Sequence, residues 1–529
     1  MSLATTSQFE PSGLTRRRLL QLAAGAASAA ASYPSIDPLA VLGAAPRWPA
    51  GGLPASAARR VDSSQFLPQA QLYAWQQQLD RVGLRATASP AHERYVDQLR
   101  DRLERAGVRQ LHFEPVPLDR WTTDKWSLRV LSGSSPGRVT TASYIPYSGQ
   151  TPAPGVTGEL AVLDTSRPPA PGSLKGKIAV FDVPLVSYTY AEFALFTYKS
   201  YDPGHVFVPT DPYTRPWLGI GGLITILDGL VGSGASGAVG VLDLPAGAAH
   251  GAYYPYDGKI RSVPGVFVDR ATGARVKAGA ASGARARLAL PARVRRVSSR
   301  NLIGVIPGAS DELMLLHCHT DGTNGVEDNG PNAIVAMSQY LARLPRGALP
   351  RTIMVLLTTG HFHGAAGTAE FVRRHHNGLL RRCAGAITIE HLGAREWQPG
   401  PGGRYALTGR YEPGSIFTPE SSPLVNASYA ALRGAKAAPA SVLRPYVAAT
   451  GSPDGNGWPA EGTDLWTVGA IPTANYITGP SYLLNWGIPT TDKVDVARMR
   501  REAISFTQML LDLSRVPRVH LRKLDLLKH

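Results

Sequence analysis

The chain has 529 residues, 43% hydrophobic and 18% charged, a balance that excludes a disordered protein and suits about two or three folded domains. Its net charge is +16, but the arginines are scattered in short groups such as Arg293-Arg295-Arg296 and Arg498-Arg500-Arg501. A nucleic-acid surface would need them clustered with aromatics, so a solvated basic exterior is expected instead.

Residues 1–45 read as an export signal. Thr15-Arg16-Arg17-Arg18-Leu19-Leu20 precedes an Ala-rich apolar stretch from Leu22 to Ala31. Paired arginines before a weakly apolar segment are similar to a twin-arginine signal, which places the mature chain outside the cytoplasm: secreted, periplasmic or on the cell-wall side. Cleavage is expected between Ala29 and Ala45. No cysteine follows there, so no lipid anchor is expected. The run from Leu218 to Val231 is broken by glycines and is not read as a membrane span.

The organisation then divides in three. Residues 46–150 begin a main domain, 151–292 form a β-rich insertion, and 293–529 complete the main domain. Gln69 to Ala106 is helical, interrupted between Gly83 and Pro90, with Ser89-Pro90 as cap and first turn. Short Val-rich strands at 158–162, 176–182, 237–242 and 263–268 mark the insertion. The aromatic, Pro-rich segment Tyr188 to Trp217 reads as an excursion that packs at a domain interface or covers a substrate. From Asn301 onward strands and helices alternate, which predicts an α/β domain with a mostly parallel sheet. Ligands bind such sheets beyond the C-terminal strand ends. His319, the Gly360–Gly364 segment and Glu390 all fall there.

The densest chemistry runs from His317 to Ala333, HCHTDGTNGVEDNGPNA. It follows the apolar run Leu313–Leu316, a buried strand. His319 and Asp321 lie two apart and leave one face. A His, an Asp two later and a second acid after a glycine-bearing turn make a pattern common in metal sites, with Asp321 orienting His319 from behind. Cys318 points to the other face and reads as a buried thiol; with Cys383 it is one of only two cysteines, so no disulfide framework exists. His317 and His391 read as structural, and His375-His376 as a helix end facing solvent.

Taken in order, several segments resemble the zinc-dependent aminopeptidase family that includes secreted leucyl aminopeptidases, glutamate carboxypeptidase II and glutaminyl cyclase. They are Gly83 to Pro90, the insertion with LKGKIAVFD and GASGAVGV, Ser299 to Gly304, His319-Thr320-Asp321 with Asp328-Asn329, Gly462-Thr463-Asp464 with Gly469 to Pro472, and Pro489 to Asp495. The resemblance implies a mostly parallel-sheet α/β zinc-aminopeptidase-like catalytic domain with an inserted β-rich protease-associated domain. It implies metal ligands at His319, Asp328 and Glu390, with Asp321 supporting His319. It also marks departures. The family's Glu-Glu pair, base and ligand, is replaced by His361 and Phe362 in Gly360-His361-Phe362-His363-Gly364, and its last ligand His by Asn485. The second of the family's two metals is thereby lost.

Three readings follow. The first is an exported hydrolase with one metal, zinc or else manganese or iron, cleaving an amide bond in a peptide or peptide-like small molecule. In it a neutral His361 is the general base, His363 a further ligand or substrate contact, and Asp464 shapes the pocket. Phe362 and Trp486 line that pocket, with Trp458 and Trp466 as further walls. The second is a non-catalytic binding protein on the same fold, without a metal. The third is an acyl-transfer or cyclisation enzyme of the glutaminyl cyclase type. None of the three involves a nucleic acid or a membrane anchor.

Overall fold

The computed structural model describes residues 48–133, 135–448 and 456–526, so the expected signal over 1–45 lies outside the described residues. The largest sheet has nine strands. Their order is Arg109–Thr122, Arg293–Ile306, Arg351–Thr358, Ser310–His319, Cys383–Ile389, Thr473–Thr478, Gly414–Phe417, Ala440–Leu443 and Thr197–Tyr201. The four from Arg351–Thr358 to Thr473–Thr478 run parallel. Both sides of that centre are then flanked by antiparallel pairs, so the whole sheet is mixed, with the expected parallel order at its heart.

The apolar run in Ser310–His319 is buried on both faces, as a central parallel strand requires. Leu313 and Leu315 pack with Phe371, Val372 and Leu465, while Met314, Leu316 and Cys318 share the opposite core with Ala333, Met337 and Tyr340. The latter three lie on the helix Gly330–Leu341. Gly330 opens that helix because a Cβ there would meet Ile389 O at 2.2 Å and Cys318 Sγ at 2.5 Å. The Asp-Asn-Gly turn therefore seats the helix directly against two strands.

The interrupted N-terminal helix is observed as Gln69–Val82 and Pro90–Arg105, with Ser89 capping the second through the backbone of His92. That helix is pinned by Glu93, whose carboxylate accepts from Ser299 Oγ and Arg300 Nε, each at 2.7 Å. Burial alone would raise its pKa, but His92, Ser299 and Arg300 overcome this and hold it at about 2. A depressed carboxylate adds stability above its unfolded value of 4.5 and loses it as pH falls towards 2. Because the side chain is 27% exposed, Glu93→Gln should cost roughly 1–2 kcal/mol at pH 7. The gap from wild type should shrink in urea unfolding as pH drops through that window.

A second sheet of eight strands is drawn from Ser127 to Ala289, so it begins before residue 151. Its order is Gly137–Val139, Ser127–Val130, Arg285–Ala289, Val156–Val162, Ile178–Asp182, Gly237–Val241, Gly265–Val268 and Ser143–Tyr144. Pro216–Ser233 is long and apolar enough to cross a membrane by length and composition, contrary to the sequence reading. Ile220, Leu223, Ile224, Leu227 and Leu230 are nevertheless buried in the protein core, the behaviour of a core helix. The aromatic excursion is stitched to the main sheet. Thr197–Tyr201 pairs with Ala440–Leu443, and buried Arg215 holds Glu412 at 2.9 Å and Glu396 at 3.4 Å. It packs at the interface and also reaches one strand end, where Tyr213 Oη and Trp217 Nε1 donate to the carbonyl of Gly479 at 3.3 and 3.1 Å, just after Thr473–Thr478. Trp458 and Trp466 pack with Phe417 and Leu443 in a small separate core.

Candidate metal centre

The ends of two parallel strands build the centre. On Ser310–His319, His317 is the deeper residue: its ring nitrogens meet Thr388 Oγ1 at 3.0 Å and Thr358 Oγ1 at 3.1 Å. Burial lowers its pKa to about 3, so it is a neutral structural group, as expected. His319, at the strand end, has a different environment. Its Nδ1 donates to the carbonyl oxygen of Asp321 at 2.9 Å, which fixes the tautomer and leaves Nε2 with a free lone pair. That atom is fully buried, has no hydrogen-bond partner and lies 3.8 Å from Glu390 Oε2.

Glu390 follows the strand Cys383–Ile389. Its Oε1 accepts from Asn475 Nδ2 at 3.0 Å and the Glu461 amide at 3.2 Å, while Oε2 has no hydrogen-bond partner. Burial, then the neighbouring Glu461, raise its pKa to about 7. His391 departs from expectation. Its backbone is not extended but left-handed, φ 55°, and this turns the ring inward. Its Nδ1 donates to the Thr478 carbonyl at 2.7 Å, and its buried Nε2 has no hydrogen-bond partner. Burial lowers its pKa to about 3. Ligand atoms of His319, Glu390 and His391 all lie within 4.8 Å of one another. Buried polar groups are rarely left without a partner, so three convergent orphans are a donor set that fits a cation.

His361 lies against this group. Its ring stacks on His319 with centroids 4.0 Å apart and planes 13° from parallel. Its Nδ1 faces Glu461 Oε1 at 3.0 Å and its Nε2 faces Glu327 Oε1 at 3.5 Å. Burial would lower its pKa, but the two glutamates outweigh burial and raise it well above 6.5. The two facing acids thus favour the protonated form of His361 over the neutral base expected from the sequence. Burial first, then this neighbouring charge, keeps His319 neutral. Glu327 Oε2 accepts from the Thr323 amide at 2.6 Å and hydroxyl at 2.7 Å, leaving Oε1 aimed at the centre.

Asp328, expected as a ligand, is placed elsewhere. Both its oxygens accept from Arg85, one from Nε at 2.7 Å and the other from Nη2, and both residues are fully buried. The Asp321 carboxylate does not orient His319; it accepts from the amides of His361 and Phe362, each at 3.3 Å, and from Thr87 Oγ1. It holds the loop, while its main-chain carbonyl does the orienting. His363 contacts Tyr147 Oη at 3.3 Å and the Asp119 carbonyl at 3.2 Å, outside the cluster. Asn485 donates to the Ala248 and His250 carbonyls, each at 3.1 Å, tying the two sheets together. Trp486 packs on His250 and Trp126 along the same seam. Asp464 is buried on the short helix Thr463–Thr467.

Phe362, read from the sequence as lining a substrate pocket, lies beside the centre, with ring centroids 5.0 Å from His361, 5.8 Å from Tyr253 and 6.0 Å from Tyr256. The last two come from the segment after Ala252, which crosses over the strand ends; the Tyr253 amide donates to Leu484 O at 2.9 Å. Glu327, Glu461 and His391 were not foreseen as site residues. Glu327 adjoins Asp328 in the acidic turn, and Glu461 lies three residues before Asp464.

No protein-family model and no curated protein matches the chain. Solved structures do. A peptidase M28 precursor from Shewanella amazonensis SB2B is 18% identical, covering 87% of this chain and 95% of that one at a TM-score of 0.61. The zinc aminopeptidase BSAP from Bacillus subtilis is 14% identical, covering 84% and 94% at 0.58. An aminopeptidase from Aneurinibacillus sp. strain AM-1 is 13% identical, covering 86% and 94% at 0.53. These likenesses are of fold: the chain has a zinc-aminopeptidase-like α/β fold.

Proposed function

We propose that this chain, with the fold of the zinc aminopeptidases, is a metallohydrolase that cleaves an amide bond in a peptide-like substrate. One observation carries the reading: His319 Nε2, Glu390 Oε2 and His391 Nε2 converge without hydrogen-bond partners in a buried site. Two neutral imidazoles and one carboxylate suit zinc, the metal in the printed description of BSAP. A divalent metal held there would act as a Lewis acid towards an amide carbonyl.

The surrounding residues take distinct roles. Asp321 and Thr478 carbonyls set the two tautomers, and Asn475 fixes Glu390. Glu327 is the proton acceptor, because its buried Oε1 is aimed at the centre and is held only by the 3.5 Å contact with His361 Nε2. His361, charged between Glu327 and Glu461, holds a proton to give to a leaving amine. Phe362, Tyr253 and Tyr256 keep water out. The protease-associated character of the second sheet and export through the Arg16-Arg17 segment belong to this reading.

A hydrolysis assay of the zinc-loaded protein on a panel of aminoacyl amides and short peptides tests it. Glu327→Gln should lower kcat by about 10²–10⁴ while KM and metal content stay near wild type. A metal-loaded wild type that cleaves nothing on the panel contradicts the reading. That outcome favours a binding protein, which the near-complete burial of His319, Glu390 and Glu327 also suits.

A further inference from the structure

Four arginines far apart in sequence meet on the second sheet. Arg138 stands opposite Arg129, and Arg129 opposite Arg287, across three neighbouring strands. Arg285 lies two positions from Arg287 and so shares its face. All four are exposed, while Leu128, Val130, Ala286 and Leu288 between them are buried. The face is therefore the solvent side of the sheet.

Among the described residues, none of the four has an acidic partner within ion-pair distance. Arg287 reaches only Thr157 Oγ1, at 3.4 Å, and Glu159, opposite Arg285, is paired with Lys177 at 3.4 Å. Like charges directly opposed across a ladder cost stability, so the fold carries this row against its own interest. Adjacent strands lie about 4.8 Å apart, so three guanidinium stems line up over about 10 Å.

We propose that this arginine row docks a linear, phosphate-bearing polyanion lying across the strands. Guanidinium groups pair with phosphate oxygens in bidentate fashion, and a line of them at this spacing suits consecutive charges along one extended polymer. A lipid surface spreads its charges in a plane and has no need of one in-register line. The flanking exposed positions Leu131, Thr157 and Glu159 are not aromatic, so nothing there stacks on bases and recognition is by charge. The overall charge of +16 adds long-range attraction.

Titration of the full chain with long-chain inorganic polyphosphate tests this. Wild type should bind, with affinity falling by about tenfold or more between 50 and 200 mM salt. Arg129→Glu/Arg138→Glu/Arg287→Glu should weaken binding about tenfold, and the milder Arg129→Gln/Arg138→Gln/Arg287→Gln should also weaken it, should the first fold poorly. A charge-matched control at exposed sites elsewhere, Arg81→Glu/Arg381→Glu/Arg404→Glu, should bind nearly as wild type. No binding by wild type, equal loss in the control, or capture by anionic vesicles that polyphosphate does not compete away would each overturn the proposal.

Discussion

Arg85→Met should destabilise this protein by about 3–5 kcal/mol in urea unfolding, one of the largest losses available from a single substitution. The reason is burial without escape. Arg85 and Asp328 are both fully buried and paired through two hydrogen bonds. Removing the guanidinium leaves a carboxylate in the interior with no cation to balance it. The same side chain donates to the carbonyls of Leu79, Gly83 and Asn324. It thus ties the end of helix Gln69–Val82 to the acidic turn, and those acceptors are orphaned as well. Arg85→Met/Asp328→Leu should recover much of the loss, because both charges leave together. A single-variant loss below about 1 kcal/mol would mean that Asp328 has another cationic partner, and the structural role given to it here would fall.

Removal of metal should have the second large effect. If His319, Glu390 and His391 hold an ion in the folded state only, zinc at about 1,000 times Kd stabilises the fold by about 4 kcal/mol. The unfolded chain cannot gather ligands from residues 319, 390 and 391, because two strands and a left-handed turn bring them together. Chelation should therefore lower the melting temperature of wild type, and adding zinc should restore it. His319→Ala should show neither response. Identical melting curves for wild type with and without zinc would contradict the metal centre while leaving the fold assignment intact.

The sequence carried the fold further than the site, for physical reasons. The central strand was legible because Leu313–Leu316 must be buried on both faces, and Ser89-Pro90 announced its helix through capping chemistry. Strand order and the mixed edges were not legible, since pairing partners lie far apart along the chain. At the site, His319 and Glu390 were found because each ends an apolar strand. An extended backbone at His391 would aim its ring away from Glu390; its positive φ reverses that, and nothing local announces the turn. Between the adjacent acids Glu327 and Asp328, only the turn geometry decides which faces the centre, and the distant Arg85 claims Asp328. The sequence suggests a neutral His361; Glu327 and Glu461, distant from it along the chain, raise its pKa instead. The arginine row on the second sheet was invisible for the same reason, since its members come from three strands.

Metal stoichiometry measured on three purified proteins, each shown to be folded, tests the central claim most directly. Wild type and Arg85→Met/Asp328→Leu should each carry about one zinc ion per chain, and His391→Ala should carry close to none. Retention by His391→Ala together with loss from the Asp328 variant would contradict it, and would return the centre to a ligand set this fold does not assemble.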